Sequence, residues 1–360
     1  MKIKLPGSEL NRMMKTISQC VDPKRQDLSN VEITSSADSV MIRATNGQLY
    51  AVMTTPVLGC EEEVFCIDGD LFAKVCSMCA GDITIETNGK TCTITGVGRT
   101  RIPIVDANIP AFESIKEDTV ITIRSQQLSA AYNGVAHAIS ADPTRIALTG
   151  IKAESLNGVL SLTTLDGFRL AYESQMFSEK HGSEINAVIP GTFMKLLCNS
   201  TVAGELITLS TDGKRIKAET DGMMIGCTLL SDSFPEVKAI VPKEFATEVL
   251  LKADYLRSVL KSNSIVCASN KLVKLIISDD KVTVTGNSEQ AEYDADISCN
   301  KTGPDLTIAF NQKYLMDTIN SITDEEIVMK FNAPSNPCVI TTREGSGYRL
   351  VLPVRVKGGN

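Results

Sequence analysis

Residues 120–142 read VITIRSQQLSAAYNGVAHAISAD, a short strand with alternating apolar residues followed by a helix anchored by Leu128. The same order recurs in MKIKLPGSELNRMMKTISQCVD at residues 1–22 and in EVLLKADYLRSVLKSNSIVCAS at residues 248–269. A pattern that returns about every 120 residues is far too long for a solenoid repeat. Each copy is therefore expected to be a domain.

Each copy continues with a hairpin, a second helix and another hairpin. The dipeptides at the first turns tolerate positive φ and are Asn46-Gly47, Asp166-Gly167 and Gly286-Asn287. The second turns are expected at Asn88-Gly89, Asp212-Gly213 and Pro334–Asn336. We predict an α+β fold of three β-rich domains, each with two helices on one sheet face, spanning residues 1–117, 118–245 and 246–360.

The composition is that of an ordinary globular protein, with 43% hydrophobic and 22% charged residues. No apolar run approaches the roughly 18 residues that span a membrane. The start, MKIKLPGSEL, lacks the apolar core of a signal peptide. The 11 cysteines are odd in number, which favours reduced thiols over a disulfide framework. We expect a cytoplasmic protein that contacts no membrane.

Charge is distributed unevenly along the chain. Six helix-like windows, at residues 8–25, 69–81, 125–145, 191–204, 252–271 and 311–323, contain 12 basic and 6 acidic residues. The windows thus carry +6, whereas the remainder carries −13 and the whole chain −7. Three rigidly joined domains would form an arc, and closure with a second copy would give a ring of six domains. A basic lining would hold a polyanion without reading bases, although solvated helix faces explain the charge alone equally well.

Recognisable catalytic chemistry is scarce. Cys76 and Cys79 form a lone C-x-x-C, which buried helix cysteines explain better than a redox or metal site. The sequence has no G-K-[ST] phosphate loop, and its only histidines are His137 and His181. We expect no cofactor, no metal and no enzyme activity.

Four ordered motifs carry a family resemblance: AAYNGVAHAISADPTRIALTGIKAES at residues 130–155, TLDGFRLA at 164–171, SFPEVKAIVP at 233–242 and YRLVLPVRV at 348–356. Together with the triplication, they resemble the sliding-clamp family, the β subunit of bacterial DNA polymerase III. The resemblance implies a non-catalytic processivity factor that encircles duplex DNA, without sequence specificity, as a head-to-tail homodimer near the nucleoid. It also implies a cleft between the second and third domains for short motifs of the replicative polymerase, the clamp loader and DNA repair proteins.

Three residue sets follow from the resemblance and the helix windows. The cleft would be formed by Leu148, Gly167, Phe168, Arg169, Leu170, Pro235, Ile240, Asn311, Tyr314, Leu350, Leu352, Pro353, Val354 and Arg355. Its pocket would be lined by leucine and isoleucine, with Arg169 and Arg355 at the rim. DNA contacts are expected from Arg12, Lys15, Lys24, Arg25, Arg145, Lys195, Arg257, Lys261 and Lys271. In the ring interface, Phe112 and Ile115 would meet Ile265 and Val266.

Departures from the family pattern keep alternatives open. The family's T-L-P-I-L does not follow Lys24 and Arg25, and the tail at residues 357–360 runs past the usual end. These departures suit a phage-borne or second-copy clamp. The other hypotheses are a β-rich peptide-binding adaptor that does not encircle DNA, and a Cys-dependent enzyme built on Cys76 and Cys79.

Overall fold

A computed structural model of the chain describes residues 2–79, 81–96, 98–182, 184–237, 239–266, 271–343, 345 and 347–355, without the side chains of 179–181. The tail at 357–360 and the side chain of His181 lie outside the described residues. The helices are α1 (Gly7–Ile17), α2 (Gly69–Ser77), α3 (Ser125–Val135), α4 (Gly191–Ser200), α5 (Ala253–Val266) and α6 (Gln312–Asn320). Short 3-10 helices span Ser18–Cys20, Ala136–Ala138 and Ile146–Thr149.

The strands are β1 (Lys2–Pro6), β2 (Asn30–Ser35), β3 (Ser39–Thr45), β4 (Leu49–Pro56), β5 (Glu63–Asp68), β6 (Asp82–Thr87), β7 (Thr91–Thr95), β8 (Arg99–Pro103), β9 (Thr119–Arg124), β10 (Gly150–Leu156), β11 (Val159–Leu165), β12 (Arg169–Met176), β13 (Glu179–Gly182), β14 (Asn186–Pro190), β15 (Leu206–Thr211), β16 (Arg215–Thr220), β17 (Met223–Thr228), β18 (Thr247–Lys252), β19 (Leu272–Ser278), β20 (Lys281–Asn287), β21 (Glu292–Ser298), β22 (Asn300–Thr302), β23 (Leu306–Asn311), β24 (Glu326–Phe331), β25 (Cys338–Thr342) and β26 (Tyr348–Val351).

One order of elements occurs three times along the chain: a strand, a helix, four or five strands, a second helix and three strands. The predicted α+β class is therefore confirmed. The chain folds into two compact units. Unit 1 comprises Met1–Leu128 with Phe177–Leu230, and unit 2 comprises Ser129–Met176 with Ser231–Asn360.

Unit 1 contains two antiparallel sheets, with strand orders β1-β6-β7-β8 and β13-β9-β15-β16-β17-β4-β3-β2-β5. Helix α1 buries Leu10, Met13, Met14 and Ile17, whose spacing places them on one helical face. Helix α2 begins where the Asp68 side chain accepts a hydrogen bond from the Leu71 amide at 2.7 Å. Hydrophobic spacing thus defines the buried face of α1, and a side-chain cap defines the start of α2.

Unit 2 contains a sheet of order β21-β20-β19-β23 and a larger run of order β10-β11-β12-β26-β25-β24-β18-β22. Its main core joins α5 and α6 through residues such as Leu256, Leu260, Leu315 and Ile319. Within that core, the side-chain amide of Gln312 donates a hydrogen bond to the Leu260 carbonyl at 2.6 Å. A buried polar side chain is thereby satisfied by the neighbouring helix.

The first-hairpin turns depend on side-chain hydrogen bonds rather than on paired positive φ angles. Asp166 Oδ1 accepts from the amides of Phe168 at 2.8 Å and Arg169 at 2.7 Å. Among these turn residues only the glycine is left-handed, with φ +94° at Gly167. The third turn was placed wrongly at Gly286-Asn287. Strand β20 continues through Asn287, and the chain turns at residues 288–291.

The helices are shorter than the predicted windows. Helices α1 and α3 end at Ile17 and Val135, each followed by a 3-10 helix, whereas their windows ran on through Pro23 and Pro143, which a helix interior does not accommodate. Lys24, Arg25 and Arg145 therefore lie in loops. The six helices contain seven basic and four acidic residues, so their net charge is +3 rather than the expected +6.

Candidate functional site

The Asp166–Phe168 turn of unit 2 is attached to both the C-terminal strand and α6. The ring of Phe168 stacks on Tyr314, with centroids 5.5 Å apart. The carbonyl of Phe168 accepts a hydrogen bond from the Leu352 amide at 2.9 Å. Phe168 nevertheless keeps 55% of its surface exposed. An aromatic side chain is thus held in place while one of its faces remains open to solvent.

Arg169 is buried, and its expected position at the rim is wrong. Its side chain is 8% exposed and pairs with Asp166 and Asp317, each at 3.0 Å. Its guanidinium carbon also lies 4.5 Å from the centroid of the Tyr314 ring. Two carboxylates and the face of an aromatic ring surround the buried guanidinium. Arg169 therefore holds the Asp166–Phe168 turn and Tyr314 in place.

Beside Arg169 lies a small apolar cluster. Leu170, Val339 and Leu350 are buried, and Val237, Val241, Phe245, Leu165 and Tyr348 pack against them half-buried. The antiparallel pairing of β12 with β26 places Leu170 opposite Leu350. This cluster forms an apolar floor made from strands β11, β12, β25 and β26 and from the segment after β17. We call it the floor cluster.

Exposed apolar residues surround the floor cluster along the chain. Ile240 is 43% exposed, Leu352 37% and Val354 40%, and Pro235 is also exposed. The Ile240 amide donates to the Val237 carbonyl at 3.0 Å, so Ile240 belongs to the segment that packs on the floor. An apolar floor with exposed apolar neighbours suits an extended peptide with apolar side chains.

The remaining predicted cleft residues have identifiable local roles. Asn311 caps α6, since its side chain accepts from the amides of Lys313 and Tyr314. The Val354 amide donates to the Ala309 carbonyl at 2.8 Å, which fixes the segment that contains Pro353. Arg355 is exposed.

Arg145 was predicted to contact DNA, and its side chain lies beside the Asp166–Phe168 turn. A Cβ atom added to Gly167 would lie 3.0 Å from Arg145 Nη1. The Arg145 carbonyl accepts from the Leu148 amide at 2.9 Å, so Leu148 follows on the same turn of chain. The sequence prediction did not place Arg145 beside this turn, although the R-x-x-L motif joins Arg145 to Leu148, which was predicted to lie in the cleft.

His137 is a buried imidazole in the same unit. Its two ring nitrogens have no hydrogen-bond partner among the described residues. Burial, together with the nearby cations Arg169 and Arg349, lowers the pKa of His137 to about 3. His137 is therefore neutral at physiological pH.

In unit 1, basic side chains from α1 and α4 meet. Arg12, Lys15 and Lys195 line one cavity of about 490 Å³ together with polar residues of both helices. Thr16 and Ser200 join the helices through a 2.9 Å hydrogen bond between their hydroxyls. Arg12 also pairs with Glu9 at 2.7 Å, which leaves the cavity net basic. A polar, basic surface of this kind fits phosphate groups.

The other residues predicted to contact DNA differ in their exposure and in their ion pairs within the chain. Arg257 pairs with Asp254 and donates to the carbonyls of Ile319 and Ile322, so it stabilises the end of α6. Lys261 is an exposed residue of α5. Lys24, Arg25 and Lys271 are exposed outside the helices, and Arg25 pairs with Asp27 at 2.6 Å.

The predicted interface residues fall into two groups. Ile265 is 79% exposed at the end of α5, next to half-buried Val266. Phe112 instead packs within its own unit, with its ring stacked on Tyr50 at a centroid distance of 5.6 Å. Ile115 is half-buried. Phe112 is therefore largely occupied by an intrachain contact.

The C-x-x-C cysteines lack the features of a reactive pair. Burial raises the pKa values of Cys76 and Cys79, which disfavours their thiolates. The Cys79 thiol donates to the Val75 carbonyl at 3.3 Å, in the usual helical manner. Within the described ranges, no three His, Cys, Asp or Glu side chains are grouped to hold a metal ion. In the same ranges, no helix has the length and apolarity needed to cross a membrane.

Comparisons with known proteins identify the class. Residues 122–236 match the central domain of the DNA polymerase III beta subunit, and residues 238–355 match its C-terminal domain. The Beta sliding clamp of Chlamydia pneumoniae is 23% identical, with 99% of each chain covered. The Beta sliding clamp of Bacillus subtilis is 22% identical, with 91% of this chain and 92% of the relative covered.

Solved structures agree on the fold. The DNA polymerase III beta subunit of Thermotoga maritima superposes with a TM-score of 0.91 at 24% identity, with 99% of both chains covered. The Pseudomonas aeruginosa sliding clamp bound to griselimycin gives a TM-score of 0.92 at 18% identity, with 99% of this chain and 100% of that chain covered. The fold is therefore that of a DNA sliding clamp. The chain belongs to the DNA polymerase III beta subunit family and is a polymerase processivity clamp.

Proposed function

We propose that two copies of the chain close head to tail into a ring around duplex DNA and tether partners through a cleft in unit 2. Each copy would contribute three domains, at residues 1–117, 118–245 and 246–360. The replicative polymerase, the clamp loader and DNA repair proteins would bind the cleft in turn. The protein would act in the cytoplasm at the nucleoid, without a cofactor and without catalysing a reaction.

The floor cluster and its exposed neighbours are the observation that carries the cleft proposal. Leu170 and Leu350 are fully desolvated, whereas Phe168 and Leu352 above them remain accessible. Exposed apolar groups beside a prepared floor favour binding, because a peptide would remove their surface from water. Arg169 and Asp317 hold the turn in place before any partner arrives. The site is thus preorganised, which lowers the entropic cost of binding.

The basic cavity of unit 1 supports the DNA-binding proposal. Arg12, Lys15 and Lys195 present positive charge within a polar surface of two helices. Such a surface interacts with phosphates through long-range forces that weaken as salt rises. Ile265 offers an exposed apolar residue for the ring interface. Phe112 and Ile115 of the other copy would meet it there, and the Phe112 ring also packs on Tyr50 within its own unit.

The experiment that tests the cleft uses exposed residues, so that the fold is preserved. Phe168→Ala and Leu352→Ala should each weaken binding of a synthetic clamp-loader motif peptide about tenfold, as expected for anchors at an interface. Leu156→Ala is the matched control, since Leu156 is 58% exposed at the far end of β10. Unchanged peptide affinity in both cleft variants, measured by fluorescence anisotropy, would refute the cleft.

A further inference from the structure

A second groove, in unit 1, repeats the local architecture of the cleft. Asn46 Oδ1 accepts from the amides of Gln48 at 3.0 Å and Leu49 at 2.8 Å, as Asp166 does at its own turn. The Leu28 amide donates to the Arg25 carbonyl at 2.9 Å, which repeats the Leu148–Arg145 bond. The two turns therefore present similar backbones to their surroundings.

The floors of the two sites differ at equivalent positions. Pairing of β4 with β17 places Tyr50 opposite Gly226, whereas pairing of β12 with β26 places Leu170 opposite Leu350. A glycine thus stands where the cleft has a leucine. The missing side chain leaves space above β17 that the cleft does not have.

Phe112 occupies that space. A Cβ atom added to Gly226 would lie 2.5 Å from Phe112 Cζ, so the ring sits directly on the glycine. The other face of the groove is Tyr50, on which Phe112 stacks. The next residue, Glu113, pairs with Arg215 at 2.5 Å. An aromatic side chain and the acid after it are recognised by separate groups.

The segment around Phe112 is bound in the manner of a peptide ligand. Residues 106–117 form no helix or strand, and the side chain of Glu113 is 84% exposed. Ile109, which is buried, anchors the segment upstream. Around the bound segment, Arg25, Tyr50 and Arg215 line a remaining cavity of about 440 Å³. The groove is therefore larger than the residues that fill it.

We propose that this groove is a second peptide-binding site, specific for an aromatic residue followed by an acid, and that residues 110–115 occupy it in the resting protein. Partner peptides of the same chemistry would bind when the segment leaves. Tyr50 and the Gly226 surface would take the aromatic ring, and Arg215 would take the carboxylate. The proposal does not depend on partner binding at the cleft of unit 2.

Release of the segment is tested by trypsin cleavage after Lys116, which is exposed. Phe112→Ala removes the ring, and Gly226→Ala places a methyl group where the ring now lies. Both should raise the cleavage rate about tenfold, because proteolysis follows the population of the open form. Ser114→Ala is the control and should cleave at the wild-type rate. Wild-type rates in both Phe112→Ala and Gly226→Ala would overturn the proposal.

Occupancy by an external ligand is tested with a labelled peptide of residues 110–115, PAFESI. The double variant Phe112→Ala, Glu113→Ala should bind this peptide at least tenfold more tightly than wild type does. Adding Arg215→Ala, or replacing phenylalanine by alanine in the peptide, should remove that gain. No binding to the double variant, or binding that ignores both of these changes, would overturn the proposal. Circular dichroism of each variant confirms that its fold is intact.

Discussion

Arg169 of β12 and Asp317 of α6 form a buried ion pair of 3.0 Å although 148 residues separate them in the chain. The pair fixes strand β12, which contributes Leu170 to the floor cluster, to the helix that carries Tyr314. The Asp166 carboxylate contacts the same guanidinium, also at 3.0 Å. The turn with the exposed Phe168 ring is thereby held by a buried cation shared between two acids.

Replacing Arg169 is therefore expected to damage stability as well as binding. Arg169→Ala should lower the free energy of unfolding by about 3 kcal/mol, because it leaves the Asp166 carboxylate without its cation and removes the more buried of the two cations beside Asp317. Urea titration measures the change. Lys313→Ala is the matched control, since its exposed amine pairs with the same Asp317 and should cost less than about 1 kcal/mol. Equal stability of Arg169→Ala and wild type would contradict this role.

Stability should fall in acid because of His137. Its pKa is about 3 in the folded protein, below the roughly 6.5 of an unfolded histidine, so the unfolded chain binds the proton more readily. The contribution of neutral His137 to the free energy of unfolding is fully present above pH 6.5 and is lost as the pH falls towards 3. His137→Phe should reduce the slope of unfolding free energy between pH 6 and 4 by up to about 1.4 kcal/mol per pH unit. If this variant had the same pH profile of unfolding free energy as wild type, His137 would be excluded as the cause of the loss of stability in acid.

The basic cavity of unit 1 should govern the salt dependence of DNA binding. Lys15→Ala with Lys195→Ala should reduce the slope of log affinity against log salt by about 0.9 for each phosphate that the lysines neutralise. Lys2→Ala serves as the control, because Lys2 is paired with Glu86 on β6 of the same unit. Fluorescence anisotropy with duplex DNA over a salt series gives the slopes. A slope unchanged by the double substitution would show that DNA does not contact the basic cavity of unit 1.

The C-x-x-C thiols should be unreactive in the folded protein. Cys76 is fully buried and its pKa is raised, so alkylation by iodoacetamide at pH 8 should be slow until denaturant is added. Cys76→Ser with Cys79→Ser should leave DNA retention and peptide affinity unchanged. Mass spectrometry of the alkylated protein provides the measurement. Rapid native labelling of Cys76 would revive the thiol-enzyme hypothesis.

Local patterns predicted the fold well because they depend on neighbouring residues. The Asp166-Gly167 turn, the strands beside it and the paired helices follow from period-2 and helical spacing. The third turn was misplaced by two residues, since Gly286 and Asn287 permit a turn but do not require one. Helix ends also ran too far, because the windows continued through Pro23 and Pro143.

Side-chain environments at the site were less accessible to prediction. Arg169 looked like a rim residue because nothing in its neighbourhood reveals that Asp317 lies beside it in the folded unit. The packing of Phe112 was hidden for the same reason, since Tyr50 and Gly226 are distant in sequence. Such long-range packing depends on strand pairing, which a single sequence does not specify.

The central claim is that the protein is held on DNA by topology. Loaded onto nicked circular DNA and purified by gel filtration, the protein should remain bound until a restriction enzyme linearises the circle, and should then slide off. Phe168 belongs to the proposed cleft and not to the proposed ring interface, so a Phe168→Ala variant should be retained like wild type. Equal retention on circular and linearised DNA would contradict a closed ring around the duplex.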